Sequence, residues 1–291
     1  MKKFLEFYLL RKEPKNRPLN GYLAAHVFER VAMRFPELIS KSGVCLDVKL
    51  LEGDPKLDEI FAFLKEELGL RPMPSLACRK KQKPGDYSHF TVKTSYEFDD
   101  QDIEGASFLY TIASEEIGCD GTGGKDWDQW GLEKAAKKLP VVGALGCLSG
   151  LVCTAATRSE LEQESFQGLG FLPVIVHDPR YHQNDFWCIW ANRTMPKVSM
   201  PLCDQEGNPV KDDYSTGCMP DEIIVNQVIL KYNATDLTAM NGTDFALTAE
   251  KWGTPKDRGR REELVVSQRF RQWCLKKNVQ MNWTPVIALP D

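Results

Sequence analysis

The sequence predicts an α/β protein, with α+β as the alternative, made of mixed sheets and short strand-helix-strand units. Three observations carry this. Apolar residues alternate in several short runs, the signature of strands with one buried face. Two stretches between them carry helix-start signals and a helical apolar stripe. A strand-helix-strand pattern ending on aromatic-x-Pro-Val-Ile occurs twice, at 151–176 and at 264–288, either by internal duplication or because such units converge on similar patterns.

Taken in order, residues 3–10 alternate as a first strand. Asn20 caps a helix running to Phe35, where Leu23, Val27, Phe28 and Val31 share one face. Residues 43–51 form a strand. Asp54 then Pro55 start a second helix, a capping carboxylate followed by proline at the first helical position, and Gly69 ends it. The basic segment 79–86 reads as a loop. Residues 89–98 and 106–114 read as a strand pair joined by an acidic loop with Asp99, Asp100, Asp102 and Glu104. That run lacks the order and terminal glutamate of a calcium loop. A short helix is expected at 131–138 within an otherwise irregular 115–150.

The first copy of the repeated phrase opens with the strand LVCT. Thr157-x-x-Glu160 then reads as a capping box, Gly168 as the helix breaker, and GFLPVIV as the next strand. Residues 186–190 and 198–203 follow as strands, and 222–232 reads as a strand whose spacing also suits a helix. The second copy places a strand at 264–266, a helix beginning near Ser267 and a last strand at 281–288. Matching Pro173 with Pro285 aligns Phe171 with Trp283 and Leu169 with Met281, and the helices then fit only with a one-residue gap. The strands of each unit are expected to run parallel. Each proline should lie at an edge or at the start of hydrogen-bonded pairing, because it lacks an amide donor. These boundaries divide the chain into an N-terminal region 1–150 and a C-terminal region 151–291.

Composition narrows the function. The 291 residues are 42% hydrophobic and 27% charged, ordinary for a globular protein, and the net charge of −4 does not suit a nucleic-acid surface. No apolar run reaches the length of a membrane span. Nine scattered cysteines without a CxxC pair point to reduced thiols in a cytoplasmic protein and give no zinc signature. No cofactor or metal site is expected.

Two loops hold candidate chemistry. GCDGTGGKDWDQWG resembles a phosphate loop, but five residues separate Gly118 from Gly124 and Asp126 stands where a hydroxyl is needed. Its tryptophans, Trp127 and Trp130, read instead as partner anchors. The loop after the first copy carries His177, Asp178, His182 and Asp185, which could serve an enzyme of unrecognised type as proton-transfer groups or ligands. Ser267 stands where a helix starts and reads as its cap rather than a nucleophile.

TDFALTAEKW at 243–252, followed by Val266-Ser267, Phe270, Trp283, Pro285 and Val286, resembles bacterial polymorphic-toxin immunity proteins. The likeness is to immunity family eleven and to the double-CxxCG immunity family. The chain lacks both cysteine pairs of the latter, so their zinc is not carried over. The resemblance implies an α/β scaffold that binds a cognate toxin as its protein partner and sterically blocks it, with no catalytic residues to carry over. Nucleic acid and membrane are not expected as partners, on the charge and hydropathy given above.

Overall fold

The computed structural model describes residues 1–11, 22–40, 43, 45–74, 89–120, 130–145, 148–198, 230–249 and 262–291. It is an α/β fold of mixed and antiparallel sheets. The expected boundary at residue 150 falls inside a strand. The chain separates instead after Phe98, and the described residues from Asp99 to Asp291 form the second unit. The reason is pairing: strands from before residue 150 hydrogen-bond to strands from beyond it.

In the first unit, β1 (Lys2–Arg11) lies at the centre, antiparallel to β3 (Cys45–Leu51) and to β5 (His89–Glu97). β2 (Tyr22–Leu23) runs beside the end of β1, and β4 (Arg71–Pro74) runs parallel to β5. Phe7 and Leu9 of β1 point to one face with Leu46 and Val48 of β3, a consequence of strand alternation. That face packs on Phe28 and Val31 of α1 (Ala25–Arg34) and on Leu57, Ile60 and Leu64 of α2 (Pro55–Leu68). The opposite face is polar, with Lys49 bridging Glu6 and Glu97. Asp54 caps α2 by accepting from Lys56 N at 2.9 Å, and Gly69 ends it at φ +65°, as the sequence predicts. Ala24 precedes α1 without a side-chain cap, and Asn20 lies outside the described residues.

The second unit contains two versions of one arrangement. The first comprises β6 (Phe108–Ala113), β8 (Trp130–Ala135), β9 (Val142–Leu145), β10 (Leu148–Thr154), a helix and β11 (Leu169–Val176). The second comprises β12 (Phe186–Ala191), β13 (Lys231–Asn233), β14 (Phe245–Leu247), β15 (Leu264–Ser267), a helix, β16 (Met281–Pro285) and β17 (Ile287–Leu289). The sheets run β9-β10-β12-β11 and β14-β15-β6-β16, the same order. Each copy's first strand therefore completes the other copy's sheet.

The registers agree as well. Val152 faces Cys188 as Val265 faces Tyr110, and Leu169 faces Ala191 as Met281 faces Ala113. Ala144 faces Leu151 as Leu247 faces Leu264. The central strands begin and end alike, Phe186 to Ala191 and Phe108 to Ala113, and all four of these residues are buried. In each copy the two outer strands are antiparallel to the same central strand, so they are parallel to one another as expected, with that strand inserted between them. In the first copy, β8 and β7 (Glu116–Asp120) close the sheet into a six-stranded barrel. Leu132, Val152, Val174, Phe186 and Cys188 pack together as its core.

Each proline marks a change of partner. Residues Leu169 to Pro173 pair with β12, after which Val174 to Val176 pair with β8. Residues Met281 to Pro285 pair with β6, after which β17 pairs with β13. A residue without an amide donor suits that switch.

Three expectations are corrected. The acidic loop is a helix, α3 (Asp100–Gly105), because Asp99 and Asp102 form a reciprocal capping box, and β5 and β6 consequently join different sheets. The helix expected at 131–138 is strand β8, drawn into the barrel by Leu132. The helix of the first copy, α4 (Ala155–Gln163), is capped by Thr154 rather than Thr157, which is buried one turn inside. Thr154 matches Ser267, the cap of α6 (Gln268–Lys276); between them, α5 (Ala234–Ala239) follows β13. Of the strands expected at 198–203 and 222–232, residues 199–203 and 222–229 lie outside the described residues, as does the basic loop 79–86, and Val198 is not in a strand.

The two copies share one core around Phe166, Phe245, Phe270 and Trp273. Cys153, Cys188 and Cys274 are buried free thiols, and burial pushes the Cys153 thiol up to about 12. Alkylation at pH 8, read by peptide mass mapping, is expected to modify these three only after unfolding and half-buried Cys45 before it. Among the described residues no helix is long and apolar enough to cross a membrane.

Candidate functional site

The residues after β11 form a self-contained loop. Asp178 is buried, and its carboxylate accepts from the backbone N–H of Ala135 at 2.9 Å and from Arg180 Nη2 at 2.6 Å. Arg180 also donates to the Ala135 carbonyl, so the pair ties the loop to the end of β8. Gln183 donates to and accepts from Val176, and Asp185 accepts from the His182 backbone N–H at 2.7 Å. The imidazoles of His177 and His182 are exposed. Two of the four candidate groups thus serve backbone positions. Among the described residues there is no group of three or more His, Cys, Asp or Glu side chains placed to hold a metal.

The Arg180 side chain, above all, holds the Asp178 carboxyl well below the usual carboxylate range, helped by the Ala135 and Arg180 amides against the cost of burial. A carboxyl with a lowered folded value contributes stability that is whole above its unfolded value of about 3.9 and fades as pH falls through the folded value. Asp178→Asn should therefore melt below wild type at pH 7, and the gap should narrow toward pH 3. A gap unchanged from pH 7 to pH 3 would contradict this assignment.

A second buried carboxylate joins the two copies. Asp244 accepts from Ser267 Oγ at 2.7 Å, from Gln167 N at 2.8 Å and from Arg269 Nη1 at 3.0 Å. The backbone N–H groups of Asp244 and Phe245 both donate to the Gln167 carbonyl. Ser267 caps α6 through Phe270 N, which is the role the sequence assigns it. Asp244, Phe245, Val266, Ser267 and Phe270 therefore lie together at one clasp, whereas Trp283 and Pro285 lie on β16.

Trp127 lies outside the described residues. Trp130 begins β8, its backbone paired with Val174. The exposed chemistry that sequence reading misses is on α4. The Arg158 guanidinium lies 3.9 Å over the Trp187 ring and 5.2 Å from the Phe171 ring, with its Nε donating to Glu162 at 2.8 Å. Trp187 is fixed in turn by its indole N–H donating to the Asn184 carbonyl at 2.9 Å. The available signal was the arginine at the same position of both repeated helices, Arg158 and Arg271. No protein-family model, curated protein or solved structure matches the chain.

Proposed function

We propose that the chain is a non-enzymatic cytoplasmic binding protein, an immunity protein that sterically blocks a cognate bacterial toxin. The observation that carries this reading is where the shared residues lie. Asp244 accepts from Ser267, and the Phe245 ring meets the Phe270 ring at 4.7 Å, so the matched segments are a structural device that joins two sheets. A resemblance carried by packing and capping residues of this kind, together with Trp283 and Pro285 of β16, is one of scaffold, and an immunity scaffold acts by presenting a preformed surface. Exposed aromatics anchor such a surface.

Co-expression with the product of the adjacent gene tests the reading. Rescue of growth from that product's toxicity, together with a complex that survives gel filtration, is expected. Neither rescue nor binding would sink it. The enzymatic alternative, using His177, Asp178, His182 and Asp185, has its own test. Any activity found in the purified chain should disappear in His177→Ala/His182→Ala with the melting temperature unchanged, and persistence of the activity would remove that alternative.

A further inference from the structure

Arg158 and Arg271 hold the same place in α4 and α6, and each helix leads through a matching turn into a strand with an aromatic at the matching position, Phe171 or Trp283. The two arginines differ in what covers them. Over Arg271 lies α3. Ile103 and Ala106 pack against the core beneath, and Gln268 Nε2 donates to the carbonyls of Ile103 at 2.5 Å and Ala106 at 2.9 Å. Glu104 brings a carboxylate oxygen to 3.8 Å from Arg271 Nη2, and Arg271 is left 6% exposed. The cover is thus a short helix offering an aliphatic side chain and a carboxylate next to it, held in place by Gln268 through its last carbonyls.

In the first copy the same position is uncovered by any described helix. The Arg158 side chain is 30% exposed, it rests on Trp187 and Phe171, and its hydrogen bond among the described residues is through Nε alone. Glu162 and the two rings hold the guanidinium plane in place, so a ligand for its Nη groups would meet a side chain already ordered. Arginine stacked on tryptophan is the kind of pair that dominates protein interfaces.

We propose that the face formed by Arg158, Trp187 and Phe171 docks a short acidic helical segment of a partner protein, with the chemistry that α3 offers Arg271. The segment sets an aliphatic side chain against the aromatic rings and a carboxylate against the Nη groups of Arg158. This deepens the proposed binding role by naming its surface, and it rests on that role only for the identity of the partner.

The test is a titration of the full chain, labelled with nitrogen-15, with a synthetic peptide of residues 99–107, DDQDIEGAS. The Trp187 indole and Arg158 Nε signals are expected to shift saturably. Arg158→Glu should weaken the peptide about tenfold or more, and a control peptide with Ser for Ile103 and Lys for Glu104 should give no shift. Arg158→Lys serves if Arg158→Glu fails to fold, because it keeps the charge and removes the planar stack. No shift at either signal, or equal affinity for wild type and variant, overturns the proposal. If the adjacent gene's product binds wild type and Arg158→Glu equally, the binding role holds and this surface is wrong. If the peptide docks as expected and that product does not bind, the surface stands and the toxin is the wrong partner.

Discussion

Gly168→Ala is expected to destabilise the second unit by roughly 5 kcal/mol, at the extreme of single substitutions. Gly168 has φ +87°, a left-handed backbone that costs an L-residue about 1–2 kcal/mol. The larger part is steric. A Cβ at this position would fall well inside contact distance of the Phe245 carbonyl oxygen, which is backbone in a buried strand and cannot swing aside. Moving it would break the bonds from Asp244 N and Phe245 N to Gln167 and from Asn192 N to Gly168. Gly53 is the control, because its φ of +85° is similar but nothing lies within 4 Å of an added Cβ. Gly53→Ala should cost only about 1 kcal/mol by urea denaturation. Equal costs at the two positions would show that backbone conformation, rather than the close approach, sets the effect.

Phe270→Ala should cost about 4 kcal/mol by the same measurement, with the urea dependence unchanged. Phe270 is fully buried, and its ring lies 4.7 Å from Phe245, 5.8 Å from Trp273 and 5.9 Å from Phe166. These rings come from α6, β14 and the turn after α4, so one truncation opens a cavity where both copies meet. Phe270→Leu should recover most of the loss, because it keeps the apolar volume. Leu275→Ala, on the exposed side of the same helix, should change stability by about 0.5 kcal/mol or less. A small effect of Phe270→Ala would mean that the two sheets do not share a core.

The strand-helix-strand units were legible because their signals are local. The apolar run, the hydroxyl cap and the helical stripe all lie within one short segment, and Thr154 and Ser267 cap α4 and α6 at equivalent positions. The required gap is also visible in the fold. Ser165 and Asn278 end the helices at φ +53° and +56°, Phe166 and Val279 are buried next, and the extra residue is Gly168. What the sequence concealed is non-local. The central strands β6 and β12 share only Phe at the start and Ala at the end, too little to mark a repeat, and the placing of β6 in the second copy's sheet follows from pairing across more than a hundred residues. The sequence of β8 reads as a helix because the strand's burial is set by β11 and β7 on either side, which no short window contains.

The same division holds for the candidate site. His177, Asp178, His182 and Asp185 drew attention as residue types, yet the type does not reveal that Asp178 is committed to Ala135 and Arg180. Arg158, an ordinary exposed helix residue in sequence, gains interest from Trp187 and Phe171, which reach it from two other elements.

The central claim is that this chain works by binding a protein partner through a preformed face. Isothermal titration of the intact chain with a catalytically inactivated product of the adjacent gene tests it most directly. Saturable one-to-one binding is expected, with affinity reduced about tenfold or more in Arg158→Glu. Absence of binding to wild type at micromolar concentration would contradict the claim.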